Sequence, residues 1–328
     1  MRIAICGSIA TDHLMTFEGR FADSLVVEQL DKISVSFLAS DLQIRRGGIA
    51  ANIAFGMAQL GQRPVLVGSV GEDFGDYRSW LERHGVDCRS VHVSETLHTA
   101  RFVCTTDTDM AQMATFYAGA MAEAREIELG PIASRLGGLD LVLVGADDPE
   151  AMLRHTEECR ARGVPFVADP SQQLAFADGA FIRRLIDGAD YLFTNEYESH
   201  LTEQKTGWSA EEIAARVTTR VTTKGKDGAT IYSRGEDPVH VDVARGVTPV
   251  DPTGVGDAFR AGFLVGLAGG LGHERCAQMG SVLAAHVLET VGTQEYTVTR
   301  EGFLARFAAA YGDEAMAEIT PLVRTMRD

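Results

Sequence analysis

The sequence predicts an α/β protein in which a mainly parallel central sheet lies between helices, with a small accessory sheet beside it. Short Val-, Ile- and Leu-rich runs recur along the 328-residue chain, and a helical pattern follows most of them. Such continuous apolar runs are typical of strands that are buried on both faces of a parallel sheet. The 34 glycines against nine prolines indicate many tight turns between these elements.

Five apolar runs are the predicted strands of the central sheet. In chain order they are RIAICGS (2–8), RPVLVGSV (63–70), DLVLVGA (140–146), VPFVADPS (164–171) and DYLFTNEYE (190–198). Ligands of open parallel sheets bind beyond the carboxyl ends of the strands, so polar residues near these ends are candidate site residues by position. They are Ser8, Asp12, residues 169–173 with Gln172 and Gln173, Asn195 and Glu198.

Two other segments alternate apolar and polar residues and predict antiparallel strands. They are residues 32–46 and 98–119, the second with a turn near 107–109. Together with residues 15–21 they form the predicted accessory sheet, which would interrupt a single domain spanning 1–328 at about 13–46 and 98–119. A strand-rich stretch from residue 218 precedes C-terminal helices that begin near 254.

The stretch GGIAANIAFGMAQLG predicts a helix that starts at a glycine pair. Its apolar residues recur at helical spacing, which places Gly48 and Asn52 on one face near the start of the helix. The Asn52 amide offers a donor and an acceptor suited to a vicinal diol, and Gly48 would let a ligand approach the backbone. The alternative interpretation is that the glycines only allow close packing on the sheet.

The stretch GVGDAFRAGF predicts a second helix start with anion-binding character. The backbone amides of Gly254, Val255, Gly256 and Asp257 would converge on an anion, aided by the helix dipole. The dipole should also lower the pKa of Asp257. No third glycine completes a dinucleotide fingerprint, and no Gly-Lys-Ser/Thr motif is present. The pattern therefore favours phosphoryl transfer with Asp257 as the proton acceptor, although a merely stabilising first-turn acid is the alternative.

Composition argues against several classes of protein. The net charge of −16 disfavours a nucleic-acid partner. The five cysteines are scattered and never form a CxxC pair, which disfavours a disulfide framework or a zinc site. No apolar run approaches the roughly 18 residues of a membrane span, and the first apolar run is short for a signal peptide. We therefore expect no membrane partner and a cytoplasmic location.

The two glycine motifs, in their order and wide separation, resemble the paired signatures of the ribokinase-type (PfkB) sugar and nucleoside kinases. NEYE at 195–198 and TTKGKDGA at 222–229 extend the resemblance over nearly the whole chain. It implies a ribokinase-like three-layer α/β/α sandwich whose accessory sheet forms a lid that often pairs subunits, and hence a homodimer. It also implies that Asp257 is the catalytic base beside an anion hole at Gly254, Val255 and Gly256.

The same resemblance implies the remaining site residues. Sugar hydroxyls and the rest of the nucleoside would be bound by Ser8, Asp12, Ser36, Gly48 and Asn52. ATP would be bound by Asn195, Thr223, Gly225 and Gly228. Glu198 would hold Mg²⁺ through water, and carbonyls around Asp251, Thr253 and Gly292 could hold K⁺.

Substrate choice depends on other segments. The family's ribokinases usually have Gly-Gly-Lys-Gly-Ala-Asn where this chain has GGIAAN, whereas SIATDHLM, SVSFL, DMAQMATFYAGAM and DPSQQLA resemble actinobacterial adenosine kinases. Phe102 and Phe116 could sandwich a purine whose edge Gln172 and Gln173 read, or could only pack the lid onto the body. We predict phosphorylation of the adenosine 5′-hydroxyl by ATP. The alternatives are a kinase of another nucleoside or a sugar, and a catalytically silent nucleoside-binding protein.

Overall fold

The computed structural model describes residues 1–24 and 35–326, so residues 32–34 of the predicted strand segment lie outside the described residues. The strands within that part of the chain are β1 Ile3–Cys6, β2 Ala10–Phe17, β3 Ala39–Gly47, β4 Val65–Val70, β5 Asp87–Val93, β6 Ala100–Thr106, β7 Gln112–Tyr117, β8 Leu141–Val144, β9 Phe166–Ala168, β10 Tyr191–Asn195, β11 Thr219–Thr223, β12 Ala229–Ser233 and β13 Val239–Val241. The helices there are α1 Phe21–Ser24, α2 Ile49–Gln59, α3 Gly75–Arg83, α4 Leu129–Leu136, α5 Pro149–Arg162, α6 Gln173–Phe176, α7 Gly179–Ile186, α8 Glu196–Thr206, α9 Ala210–Ala214, α10 Val255–Ala268, α11 His273–Leu288, α12 Arg300–Tyr311 and α13 Asp313–Ile319. Short 3₁₀ helices span Glu72–Phe74, Gly119–Glu126 and Gly225–Asp227.

The central sheet has nine strands in the order β13-β12-β11-β10-β9-β8-β1-β4-β5. Its pairs from β11 to β5 are parallel, and only the β11–β12 and β12–β13 pairs are antiparallel. All five predicted apolar runs form strands of this sheet, as β1, β4, β8, β9 and β10. The mainly parallel sheet is therefore confirmed.

Two separate hydrophobic cores make the molecule three-layered. Helices α2, α10, α11 and α12 pack on one face of the sheet, and α4, α5, α7 and α9 pack on the other. Strand β1 shows the alternation, since Ile3 and Ile5 join the first core while Ala4 and Cys6 join the second. Burial on both faces explains why these strands read as continuous apolar runs.

A second, smaller sheet has the strand order β3-β2-β6-β7, and we call it the small sheet. The β2–β3 and β6–β7 pairs are antiparallel, but β2 and β6 run parallel. The small sheet is therefore mixed rather than wholly antiparallel, and its first strand begins at Ala10, earlier than predicted. At the turn between β6 and β7, one Asp107 carboxylate oxygen accepts hydrogen bonds of 2.9 Å from the amides of Asp109 and Ala111.

The start of α2 requires a glycine for structural reasons. Gly48 has a φ of 93°, a backbone conformation that residues other than glycine rarely adopt. A Cβ atom at this position would lie 2.5 Å from the Ser8 carbonyl oxygen and 2.6 Å from the Ile9 Cα atom. The backbone of α2 therefore lies directly against the segment that follows β1. In the described part of the chain, no helix combines the length and apolar character needed to cross a lipid bilayer.

Candidate active site

The helix α10 begins in a turn that presents free backbone amides. Gly254 caps the helix in a left-handed conformation, with φ 78°. The Val255 amide donates to the Pro252 carbonyl at 3.3 Å, whereas the amides of Gly256 and Asp257 have no acceptor among the described residues. Gly256 and Asp257 therefore present free amides in this turn, whereas the Val255 amide is engaged within it.

Asp257 lies in the first turn of α10 with partial solvent access, and protein surrounds most of its carboxyl group. The Asn52 side-chain amide donates to Asp257 Oδ2 at 2.8 Å. Burial raises the pKa of Asp257 to about 6, while the Asn52 hydrogen bond and Arg260 lower the pKa, and Asp169 and Glu198 raise it. The expectation of a lowered pKa was wrong, because desolvation of the carboxylate outweighs the lowering by the Asn52 hydrogen bond and by Arg260.

A buried ion pair holds the first turn of α10 against the central sheet. The Arg260 guanidinium donates two hydrogen bonds to Asp169, which follows β9, with the Nη2–Oδ1 distance at 2.7 Å. The Arg260 Nη1 group also donates to the Gly256 carbonyl at 3.1 Å. Sequence analysis missed Arg260, although an arginine on a helix with apolar neighbours Phe259 and Phe263 was a usable signal.

Asn52 is the centre of a buried hydrogen-bond network. Its Oδ1 atom accepts from Gln294 Nε2 at 2.9 Å, and the same Gln294 nitrogen lies 2.6 Å from the Tyr77 hydroxyl. That hydroxyl donates to the Gly47 carbonyl at 2.9 Å. Neither Gln294 nor Tyr77 was singled out from the sequence, because nothing local connects residues so far apart along the chain.

One row of paired residues crosses the small sheet and places the predicted nucleoside-binding side chains on one face. Asp12 pairs with Arg45 on β3 and with Phe102 on β6, and Phe102 pairs with Phe116 on β7. Arg45 lies 3.8 Å from Asp251, in the loop before α10, so this face is turned towards the helix start. We call it the inner face.

Asp12 is half-buried, and burial raises its pKa to about 6. Nearby Arg45 lowers the pKa of Asp12, and Glu295 raises it. Phe102 is half-buried, while Phe116 is 53% exposed. The structure thus brings Asp12, Phe102 and Phe116 together on the inner face.

Other predicted substrate residues make hydrogen bonds within the protein. The Ser8 hydroxyl oxygen accepts from the Ile49 amide at 3.2 Å and so holds the start of α2. Gln173 donates its side-chain amide to the Asp147 carbonyl at 2.7 Å, and exposed Gln172 accepts from Ser171. Ser36 is exposed in the segment before β3.

The predicted ATP-binding residues lie at the ends of β10 and β11. Asn195 and Glu198 form a capping box at the start of α8: the Glu198 amide donates to Asn195 Oδ1, and the Asn195 amide donates to Glu198 Oε2, both at 2.8 Å. Thr223 ends β11, and Gly225 begins the following 3₁₀ helix. Gly228 has φ 82°, and a side chain there would collide with the Val241 carbonyl, so this glycine has a structural function too.

Comparisons with known proteins identify the family of the chain. A model of the pfkB family of carbohydrate kinases matches residues 21–300. A nucleoside kinase from Methanothermobacter thermautotrophicus is 33% identical over 275 residues, which cover 82% of this chain and 86% of that protein.

Among solved structures, the ligand-free nucleoside kinase from Burkholderia thailandensis has a TM-score of 0.85 and 38% identity, covering 93% of this chain and 99% of that one. Its complex with inosine has a TM-score of 0.82 and 36% identity, covering 95% of this chain and 99% of that one. The same kinase in complex with ADP-inosine has a TM-score of 0.80 and 38% identity, with 95% and 96% covered. The fold, the two glycine motifs and the family match over residues 21–300 together lead to one conclusion: the chain belongs to the PfkB family of carbohydrate kinases.

Proposed function

We propose that the protein is an ATP-dependent nucleoside kinase that transfers the γ-phosphoryl group to the 5′-hydroxyl of a purine nucleoside. The observation that carries this proposal is the Asp257 carboxylate, placed beside the unpaired amides of Gly256 and Asp257 and hydrogen-bonded by Asn52. Relatives named nucleoside kinases, one of them solved with inosine, support a nucleoside as the acceptor.

In this proposal the chain's own groups divide the chemistry. Asp257 accepts the proton of the attacking hydroxyl, and its pKa of about 6 leaves it ionised yet basic near neutral pH. The free amides at the start of α10 stabilise negative charge on the transferred group. Asp12 and the second N–H of the Asn52 amide would bind ribose hydroxyls. Closure of the small sheet would exclude water.

The nucleotide would bind near Asn195, Thr223, Gly225 and Gly228. The carboxylates of Asp257, Asp169 and Glu198 lie near one another, and Arg260 is the guanidinium that acts on them among the described residues. A divalent cation would neutralise the remaining negative charge of this region. Burial raises the pKa of Glu198 and nearby Asp169 raises it further, while the Asn195 amide and Arg260 lower it.

Glu198 would therefore hold Mg²⁺ through water. No group of three or more His, Cys, Asp or Glu side chains in residues 1–24 and 35–326 is arranged to hold a metal ion, so phosphates and water would supply most ligands. When bound, Mg²⁺ would neutralise charge on the phosphates.

A monovalent cation is proposed beside the start of α10. The Asp251 carboxylate accepts from the amides of Thr253 and Gly292, both at 2.9 Å, and so joins the two segments whose carbonyls would bind K⁺. We expect faster turnover in potassium chloride than in sodium chloride. Equal rates in the two salts would count against this cation.

The base of the substrate is the finer part of the proposal. The sequence segments that resemble adenosine kinases favour adenosine as the substrate. The similar nucleoside kinase from Burkholderia thailandensis was solved with bound inosine, which favours inosine. The inner face offers Phe102 as the stacking surface, since it lies between Asp12 and Phe116 in the same row.

We expect purine nucleosides to be phosphorylated faster than ribose or fructose, and Phe102→Ala to raise the KM for nucleosides about tenfold or more, because a stacked base is lost. ADP release with adenosine, inosine, guanosine, ribose and fructose measures both effects. Val103→Ala is the matched control, because Val103 is the next residue on β6 and projects to the opposite face. Equal losses for nucleosides and sugars would contradict stacking on Phe102.

A homodimer through the small sheet is also proposed. The face opposite to the inner face carries apolar side chains with exposed fractions between 38% and 60%, among them Leu42, Ile44, Met113 and Tyr117. A second copy of the chain would bury them. Light scattering should give about twice the chain mass of 35.4 kDa, and Ile44→Glu should give a monomer. A wild-type monomer at assay concentrations would refute the dimer.

A further inference from the structure

The hydrogen-bond network around Asn52 has a fixed direction. It runs from the Gly47 carbonyl through Tyr77, Gln294 and Asn52 to Asp257, with distances of 2.9, 2.6, 2.9 and 2.8 Å. Gly47 offers only a carbonyl oxygen there, and a carbonyl oxygen can only accept. The Tyr77 hydroxyl therefore donates its proton to Gly47, and its oxygen accepts from Gln294.

The same logic orients both amides. The two N–H bonds of Gln294 are needed for Tyr77 and for Asn52 Oδ1, which leaves Gln294 Oε1 buried and without a partner among the described residues. A flipped Gln294 would place its oxygen against the Asn52 oxygen. A flipped Asn52 would place its oxygen against the Asp257 carboxylate. The network is therefore self-consistent in one direction only.

We propose that Gln294 and Tyr77 are positioning residues that hold the Asn52 amide with its N–H group towards Asp257 and thereby keep the catalytic carboxylate ionised. The proposal rests on the proposed function, in which Asp257 is the base. Gln294 is fully buried and Tyr77 is 5% exposed, so solvent does not supply substitute partners. Neither side chain is expected to touch the substrate.

The sign of the effect follows from the donor direction. A hydrogen bond donated to the charged form of an acid lowers its pKa, so the network opposes the burial that raises the pKa of Asp257. The other groups that act on Asp257 are Arg260, which lowers its pKa, and Asp169 and Glu198, which raise it. Tyr296 lies close enough for Asp257 to raise the pKa of its hydroxyl. Changes at Gln294 or Tyr77 leave all four of these groups in place.

The test is the pH dependence of kcat at saturating nucleoside and ATP in Gln294→Met and Tyr77→Phe. We expect the acidic limb to move about 0.5 to 1 pH unit upward, as one hydrogen bond to the ionised base is weakened. The value of kcat should then fall about 3- to 10-fold well below the limb and less than about twofold at pH 7. Tyr311→Phe is the matched control, because its hydroxyl donates to the Asp242 carbonyl at 2.7 Å outside the network. In Tyr311→Phe the acidic limb of the pH profile should lie at the same pH as in the wild type.

Two outcomes overturn the inference separately from the proposed function. If Asp257→Asn abolishes turnover but neither variant moves the acidic limb relative to wild type and Tyr311→Phe, the positioning function is wrong and the base assignment stands. If Asp257→Asn retains turnover, the proposed function itself fails. Should Gln294→Met not fold, Tyr77→Phe keeps the test decisive, because it removes one hydroxyl and leaves the ring in place.

Discussion

The Asp257→Asn variant is expected to bind nucleoside as the wild type does and to turn it over about 10²–10⁴ times more slowly. The asparagine amide has nearly the shape of the carboxylate but cannot accept the proton of the attacking hydroxyl. ADP release gives kcat, and calorimetric titration with the nucleoside gives binding. A selective loss of kcat would identify Asp257 as the base, because binding does not need its charge.

Asp76→Asn is the control for the alternative that Asp257 is only a favourable acid at a helix start. Asp76 is exposed and lies in the first turn of α3, so the two substitutions remove the same helix-dipole interaction. Asp76→Asn should leave turnover unchanged. If Asp257→Asn behaved like Asp76→Asn, the base would have to be sought elsewhere.

Arg260→Met is expected to lower the free energy of unfolding by about 3–5 kcal/mol, because it leaves the Asp169 carboxylate buried without its partner. The side chain of Asp169 is fully buried and that of Arg260 is 7% exposed, so water cannot replace the guanidinium. Chemical denaturation of the variant and of the wild type measures this difference.

Two further variants make the test specific. The double variant Asp169→Leu with Arg260→Met should recover most of the lost stability, since the buried Asp169 carboxylate is removed together with its guanidinium partner. Arg184→Met removes an exposed ion pair with Glu157 and should cost less than about 1 kcal/mol. An Arg260→Met variant no less stable than Arg184→Met would show that Asp169 is compensated by another group.

Much of the fold could be predicted from local pattern. The five apolar runs form β1, β4, β8, β9 and β10. They could be predicted because a strand that is buried on both faces has apolar residues at nearly every position. The two segments predicted as antiparallel strands form β3 and the β6–β7 hairpin, whose pairs are antiparallel, but the parallel pairing of β2 with β6 was not predicted. The direction of that pair depends on how the chain returns after β5, and alternation within a strand carries no information about it.

The site was predicted in part for similar reasons. Asp257 and Asn52 belong to motifs in which neighbours along the chain define a helix start. Ser8 and Gln173 were predicted to bind substrate because they follow strands, and in the structure they make hydrogen bonds with backbone groups of the protein. Position at a strand end brings a side chain to the right edge of the sheet and leaves open which group it meets there.

By itself, the sequence determined the family, the mainly parallel sheet and the place of Asp257 at the start of α10, because motifs and periodicity depend on residues close together in the chain. Only the tertiary structure decided the ionisation of that acid and the partner of each polar group around it. The pKa of Asp257 is the sum of burial, the Asn52 hydrogen bond, and the charges of Arg260, Asp169 and Glu198. The contributing residues lie far apart in the chain, from Asn52 to Arg260, and the fold alone sets the distances between them.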